Sequence, residues 1–451
     1  MAARRVSGRP VNRQVVANAR RSPFWNISLR RMHRTMVERS LADRLKALGV
    51  KVGARDLPPP RPRPHRPIEA IVPGQYLATD SGQVFVVENT YPPDRQHGQT
   101  PLRGSATLHA VAQWARQPQL SELDLTRFVF LDTETTGLAG GTGTYAFLVG
   151  VGYHTEDGFR LLQLFMRDPL EESPLLEALT MAVGDREALV TFNGKAFDVP
   201  LLNTRYIANG TTSPLGDLAH LDLLPLARRL WRSRLPSRAL SALETDILGV
   251  TRTHEDVPGW LIPGLYFDYL RSGDATPLAG VFYHNAMDIL ALAALLNHVA
   301  HLLSQPLDPD IEEGLDLVDL ADLFEDLGEW ETASELYARG LTCDLPPDVR
   351  ESAMRRLATL QRRRGCLDGA VAVWKEAAAQ QQVYACVELA KYYEHRVRDY
   401  RQAAAITRQA IETVAGANMP NYLRRRHLSE LNHRLSRLQR KIARAALQDS
   451  I

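Results

Sequence analysis

Apolar and polar positions alternate along this chain with periods that change from one stretch to the next. Residues 1–27 are Arg-rich and have no period, which predicts a disordered arm. From Ser28 to Leu48 the apolar set Leu29, Met32, Met36, Leu41, Leu45 and Leu48 recurs at near-helical spacing with arginines between, and Gly49 follows as a stop. That pattern predicts a basic amphipathic helix. The proline-rich run from Pro58 to Pro67 predicts a stiff, extended linker. Between 70 and 105 the stretch Gln83–Val87 reads as a small β element packed on the following domain.

From about residue 124 the pattern sharpens. Phe128–Leu131, Tyr145–Tyr153 and Phe159–Met166 predict three strands, the last two joined by a turn at Glu156-Asp157-Gly158. A helix over roughly 173–183 leads to a strand at Ala188–Phe192, and helical periodicity continues to 303. A three-strand meander followed by alternating helix and strand predicts an α/β domain. Beyond 313 every segment reads as helix. A loose repeat places Ala333, Ala370 and Ala403 at intervals of 37 and 33 residues, close to the ~34 of tetratricopeptide helix pairs. Two uses fit such a region: binding a protein or peptide on a concave face, or supporting the preceding domain.

Composition narrows the class. A chain of 451 residues with 24% charged and 45% hydrophobic residues reads as an ordinary soluble protein of two or three domains. The longest apolar helical stretch, Ile289–Leu303, is interrupted by Asn297, His298 and His301, which speaks against a membrane span. Cys343, Cys366 and Cys386 form no C-x-x-C pair, so a reducing cytoplasm and small buried helix residues are expected rather than zinc or disulfides. The net charge of +2 hides an asymmetry, because residues 1–67 hold 17 Lys+Arg against 3 Asp+Glu. A basic arm on an acidic body suits contact with a polyanion, or simple solubilisation.

The chemistry lies in four acids at the ends of apolar segments: Asp132 and Glu134 in FVFLDTETTGL, Asp198 in VTFNGKAFDVPLL and Asp288 in FYHNAMDILAL. Residues two apart on a strand share a side, so Asp132 and Glu134 converge, at a cost of several kcal/mol unless a cation neutralises them. Hard oxygen ligands suit Mg²⁺ or Mn²⁺. Asp198 alone also reads as a helix N-cap ahead of Pro200. Asp288 lies in a long apolar helix with His284 four residues before it on the same face.

Together these motifs resemble the DEDD, or DnaQ-like, 3′–5′ exonuclease superfamily. The wider text, including HLDLLPLARRLWRSRLPSRALSALETDILG and DVPGWLIPGLYFDYL, resembles the bacterial YprB-type branch over roughly 70–303, with weaker support to 410. The resemblance implies a ribonuclease H-like α/β exonuclease domain followed by an all-α tetratricopeptide-like domain. The expected boundaries are a basic arm with helix and linker at 1–67, a β-containing lead-in at 68–123, the exonuclease domain at 124–305 and the helical domain at 313–445. It implies hydrolysis from single-stranded 3′ ends of DNA or RNA with two divalent ions about 4 Å apart. Asp132 would bridge the ions, Glu134 and Asp288 would complete one shell, and Asp198 would hold the other. Leu138 would wedge against the terminal base.

One departure concerns the group that assists water. The superfamily's histidine class spaces that residue five before the last Asp, and its tyrosine class four before. Here Tyr283 stands at minus five and His284 at minus four. Helical geometry favours His284, whose near-neutral pKa suits a base or an orienter of water. A buried, satisfied histidine stays open.

Around these acids, Arg228, Arg229 and Arg232, with Trp231 among them, read either as a single-strand contact or as a solvated helix face with a core tryptophan. Asn193 and Lys195, beside Asp198, are candidate substrate contacts. Asp222 reads as a supporting acid or a surface carboxylate. The glycine-rich Gly137–Gly143 lacks the lysine and helix of a phosphate loop. A second function fits the same residues: a nucleic-acid or protein-binding scaffold with a vestigial nuclease core.

Overall fold

Strands alternate their side chains between two faces, and Phe128–Leu131 buries both. The structure, a computed structural model, describes residues 66–137 and 143–448. The basic arm's helix and most of its linker, and Leu138, lie outside the described residues. In chain order the strands are β1 (Gln75–Thr79), β2 (Gly82–Tyr91), β3 (Gln96–His97), β4 (Thr100–Pro101), β5 (Phe128–Thr135), β6 (Ala146–Thr155), β7 (Gly158–Phe165), β8 (Ala188–Thr191) and β9 (Ala219–Asp222). Interleaved with them are helices α1 (His109–Ala115), α2 (Glu172–Val183), α3 (Asp198–Ala208) and α4 (Leu223–Leu230). Then follow α5 (Leu240–Leu243) with a π turn at Glu244–Leu248, α6 (Ile262–Ser272) and α7 (Leu278–Ser304).

Seven strands form one sheet in the order β1-β2-β7-β6-β5-β8-β9. The β5-β6-β7 meander is antiparallel, with a two-residue turn between β6 and β7 and a longer connection between β5 and β6, whereas β8 and β9 arrive through helices and pair in parallel. The lead-in at 68–123 is not a separate element: β2 pairs with β7 from Phe85↔Phe165 to Tyr91↔Phe159, so β1 and β2 extend the same sheet. Edge-strand hydrogen bonds left open by β7 explain why the sheet continues there.

Two apolar cores cover the two faces. Phe128 and Phe130 belong to one, Val129 and Leu131 to the other. Helix α7 takes part in both: Leu278, Val281 and Phe282 enter the second core and Ile289–Leu303 the first. By length and composition this helix would suit a membrane, but its apolar positions are enclosed between these cores. His284 and Asp288 sit where it passes from one core to the other.

The C-terminal region is helical: α8 (Gly314–Leu327), α9 (Trp330–Gly340), α10 (Pro347–Arg363), α11 (Leu367–Ala379), α12 (Val383–Tyr392), α13 (Tyr400–Gly416) and α14 (Asn421–Gln448). Ala333, Ala370 and Ala403 are all fully buried, as close helix packing requires. The anticipated border near 305–313 does not separate two cores, because Leu317, Leu320, Leu323, Leu336 and Tyr337 pack in the same cluster as α7. A separate core begins with α10. Of the three cysteines only Cys386 is buried; Cys343 is half-buried and Cys366 exposed.

Candidate active site

Asp132 and Glu134 lie at the end of β5, where register shifts between Glu134 and Thr135 so that β6 contributes an extra residue, Phe147. Such a bulge ends regular pairing and re-aims side chains, here beside the acids. Asp198 enters from β8 through a tight loop. Asn193 takes a left-handed backbone (φ 66), and a Cβ on Gly194 would lie 2.5 Å from the Thr191 Cβ. Asp222 anchors that loop: its carboxylate accepts from the backbone N–H of Asn193 (2.8 Å), Lys195 (3.2 Å) and Leu224 (3.1 Å). Asp222 is therefore a buried positioning group, not a surface carboxylate.

Asp198 does not cap its helix. The N-cap position belongs to Phe197 without a side-chain bond, and Asp198 Oδ1 instead accepts from the Thr133 hydroxyl at 2.5 Å. That leaves the carboxylate facing β5. Asn285, one residue after His284, donates from Nδ2 to Asp132 Oδ2 (3.1 Å) and accepts from Gln163 Nε2 (3.0 Å). The approach of α7 that allows this depends on Gly150, opposite Asp132 in β6: a Cβ there would lie 2.5 Å from Asn285 Oδ1.

Asp288 and His284 complete the cluster. One ligand atom each from Glu134, His284 and Asp288 lies within 4.8 Å of the others. His284 Nδ1 is 2.7 Å from Asp256 Oδ1, and its Nε2 is 3.5 Å from Asp288 Oδ2. We assign the Nδ1 proton to the Asp256 bond, which leaves Nε2 as the lone-pair nitrogen toward the acids. Tyr283 serves elsewhere, its hydroxyl accepting from the Thr253 backbone N–H at 3.1 Å.

Charge crowding is severe. Burial first, then the negative charge of Asp288 and Asp198, pushes the Glu134 carboxyl up to about 8, with Arg252 opposing. Asp198 is raised to about 6, chiefly by burial. Burial and then Asp288, Glu134 and Asp198 hold Asp132 well above the usual carboxylate range, and burial raises Asp288. Carboxyls packed this closely, with oxygen donors and one imidazole, fit a divalent cation such as Mg²⁺ or Mn²⁺.

A pH dependence follows. A carboxyl whose folded-state pKa lies above its unfolded value binds more protons folded than unfolded between those values, so stability falls as pH rises across that window. Without divalent ions, thermal stability is expected to drop between about pH 4.5 and 8 through Glu134, and from about 3.8 to 6 through Asp198. Adding Mn²⁺ should flatten the decline, since the ion replaces the protons. Melting curves across pH with chelator and with Mn²⁺ check this; parallel curves would remove it.

Other anticipated contacts fare differently. Asn193 and Lys195 are exposed beside the Asp198 loop, and Arg228 is exposed on α4. Arg229 is half-buried and Arg232 exposed, and both are paired with acids. Arg229 Nη2 donates to the Asp322 carbonyl (2.6 Å) and pairs with Asp326 (2.5 Å), and Arg232 pairs with Asp322 (3.0 Å), all on α8. Arg234 joins them through Asp316 at 2.8 Å, and Trp231 is core. The acidic face of α8 claims these guanidiniums because it lies across the shared core. Arg252, Asp256, Glu244 and Asn285 are site residues that motif reading passed over. Glu244, Asp256 and Asn285 lay within the resembling text, but no period or spacing distinguished them.

Residues 129–300 match the RNase H superfamily. The chain is also 32% identical over 369 residues to an uncharacterized protein of Bacillus subtilis (strain 168), YprB, covering 79% of this chain and 86% of that one. The chain belongs to the YprB family. The match over residues 129–300 supports a nuclease activity and nucleic-acid binding in general. A family B DNA polymerase from the archaeon Pyrobaculum calidifontis is a structural match at 16% identity and a TM-score of 0.29, over 45% of this chain and 29% of that one. YprB-family membership thus rests on sequence, and the site's chemistry on the geometry above.

Proposed function

We propose that this protein is a metal-dependent 3′–5′ exonuclease acting on single-stranded DNA or RNA. The observation that carries the reading is the convergence of Asp132, Glu134, Asp198 and Asp288, from β5, α3 and α7, into one under-neutralised cluster beside His284. Those four acids would hold two divalent ions, Mg²⁺ or Mn²⁺. Bound there, the cations supply positive charge for the phosphoryl oxygens and the leaving 3′ oxygen.

The chain's own residues do the rest. His284 Nε2 takes the proton of the attacking water as its oxygen bonds to phosphorus and the P–O3′ bond breaks, releasing a 5′-nucleotide. Asp256 orients the imidazole through the Nδ1 contact. Asn285 fixes Asp132, and Thr133 fixes Asp198. Asn193 and Lys195 flank the site and are exposed, as contacts to a substrate backbone must be. Leu138 is assigned to the terminal base by family resemblance. The helical region serves as a tetratricopeptide-like binding module for a protein partner, a reading supported by its buried alanines at near-repeat spacing.

Incubating the protein with 5′-labelled single-stranded DNA and RNA in Mn²⁺ or Mg²⁺ tests the reading. A ladder shortening from the 3′ end supports it and selects the substrate. Intact oligonucleotides of both kinds would favour a binding scaffold with a vestigial core. Within this mechanism, Asp256→Asn is expected to lower turnover by roughly 10–100-fold, the usual cost of losing a residue that orients a site group. The loss should fall on kcat with KM little changed, and unchanged turnover would argue against the Asp256–His284 pair.

A further inference from the structure

The acidic cluster contains a cation of its own. Arg252 has a side chain only 10% exposed, and it reaches into the site from the loop after the Glu244–Leu248 π turn. Its Nε donates to Glu244 Oε2 at 2.6 Å, and its Nη2 is paired with both Glu244 and Asp288 Oδ1. Nη1 is 3.6 Å from Asp256 and 3.3 Å from His284 Nδ1. Glu244 is itself fully buried and shares its other oxygen with His97 at 2.9 Å. One end of the guanidinium is thus anchored, and the other lies on an acid that the mechanism assigns to metal.

We propose that Arg252 is a positioning residue that stands in for a divalent ion at Asp288, so that metal entry displaces its Nη2 while Glu244 keeps its Nε. This rests on the metal-dependent reading above. The charges require some such arrangement. Asp132, Glu134, Asp198, Asp288, Glu244 and Asp256 gather here, and among the described residues Arg252 is the guanidinium that pairs with them, beside the imidazoles of His284 and His97. One guanidinium cannot balance them all, which leaves a demand for more positive charge. Yet it already takes one oxygen of Asp288, so an ion and Arg252 compete for that carboxylate. The forked guanidinium suits the role, because it bridges two carboxylates while Nε remains tethered. Once Asp288 turns to the metal, Arg252 is left with Glu244 as a paired, buried unit that needs no further partner.

Mn²⁺ binding to the whole protein, measured by calorimetry and by the Mn²⁺ spin-resonance signal without nucleic acid, tests this. Arg252→Gln is expected to bind Mn²⁺ at least about tenfold more tightly than wild type, since a competing positive charge has gone. It should also melt lower in chelator and recover more on adding Mn²⁺. Equal or weaker binding with an unchanged circular dichroism spectrum would overturn the proposal while leaving the nuclease reading in place. No binding by either protein would remove both. If the variant does not fold, a crystal structure of the wild-type protein grown with Mn²⁺ decides: Asp288 on the ion with Arg252 retained only by Glu244 supports the exchange. Arg252 still on Asp288 beside a bound ion overturns it.

Discussion

Asp132→Asn is expected to lower hydrolysis by on the order of 10³-fold, because it removes the negative charge on which the other acids centre. The change is nearly isosteric. The Asn285 Nδ2 bond to position 132 can persist, since an amide oxygen accepts as a carboxylate does. Coulombic crowding, by contrast, is relieved: Glu134, Asp198 and Asp288 all act on Asp132 to disfavour its charge. The variant should therefore be at least as stable as wild type in chelator while losing Mn²⁺-induced stabilisation. That opposition between stability and activity is the mark of a site held in a costly arrangement for function. Single-turnover assays paired with melting curves would show it, and an Asn variant that retained turnover would end the metal-dependent reading.

Arg205→Met is expected to cost roughly 3–5 kcal/mol of stability, because it leaves a buried carboxylate without its partner. Arg205 lies on α3, whose first residue is Asp198. Its Nε and Nη2 donate to the two oxygens of Glu172 at 2.5 and 2.7 Å, and its guanidinium stacks 4.2 Å from the Tyr145 ring centre. This forked pair joins α2 to α3 beside Tyr145, the residue just before β6. Urea denaturation would measure the loss. The double variant Glu172→Leu with Arg205→Met should recover much of it, since two apolar groups of similar volume need no compensation. A single variant within about 1 kcal/mol of wild type would show the pair to be dispensable.

Much of the α/β architecture was legible because burial on both sheet faces writes an apolar run into the strand. Phe128–Leu131, the Glu156–Gly158 turn and the helix near 173–183 were all readable in this way, though β5 runs on to Thr135 through the acids themselves. The C-terminal helices were readable from period alone. Their attachment was not, since no local pattern says that α8 will share a core with α7. The arginines after residue 228 show the same limit. Their density suggested a polyanion, but Asp316, Asp322 and Asp326 lie some 80–100 residues away and become partners only through packing.

The sequence by itself determined the fold class, the acids and the candidate role of His284. Strand alternation and helical spacing are local rules, and an acid placed in an apolar segment stands out against them. Only the tertiary structure decided what surrounds those acids. Arg252 and Glu244 come from the π-turn region, Asp256 from the loop after it, and Asn285 reaches Asp132 because Gly150 leaves room. Long-range pairing depends on how helices and strands pack, and no spacing along the chain encodes which charge will meet which.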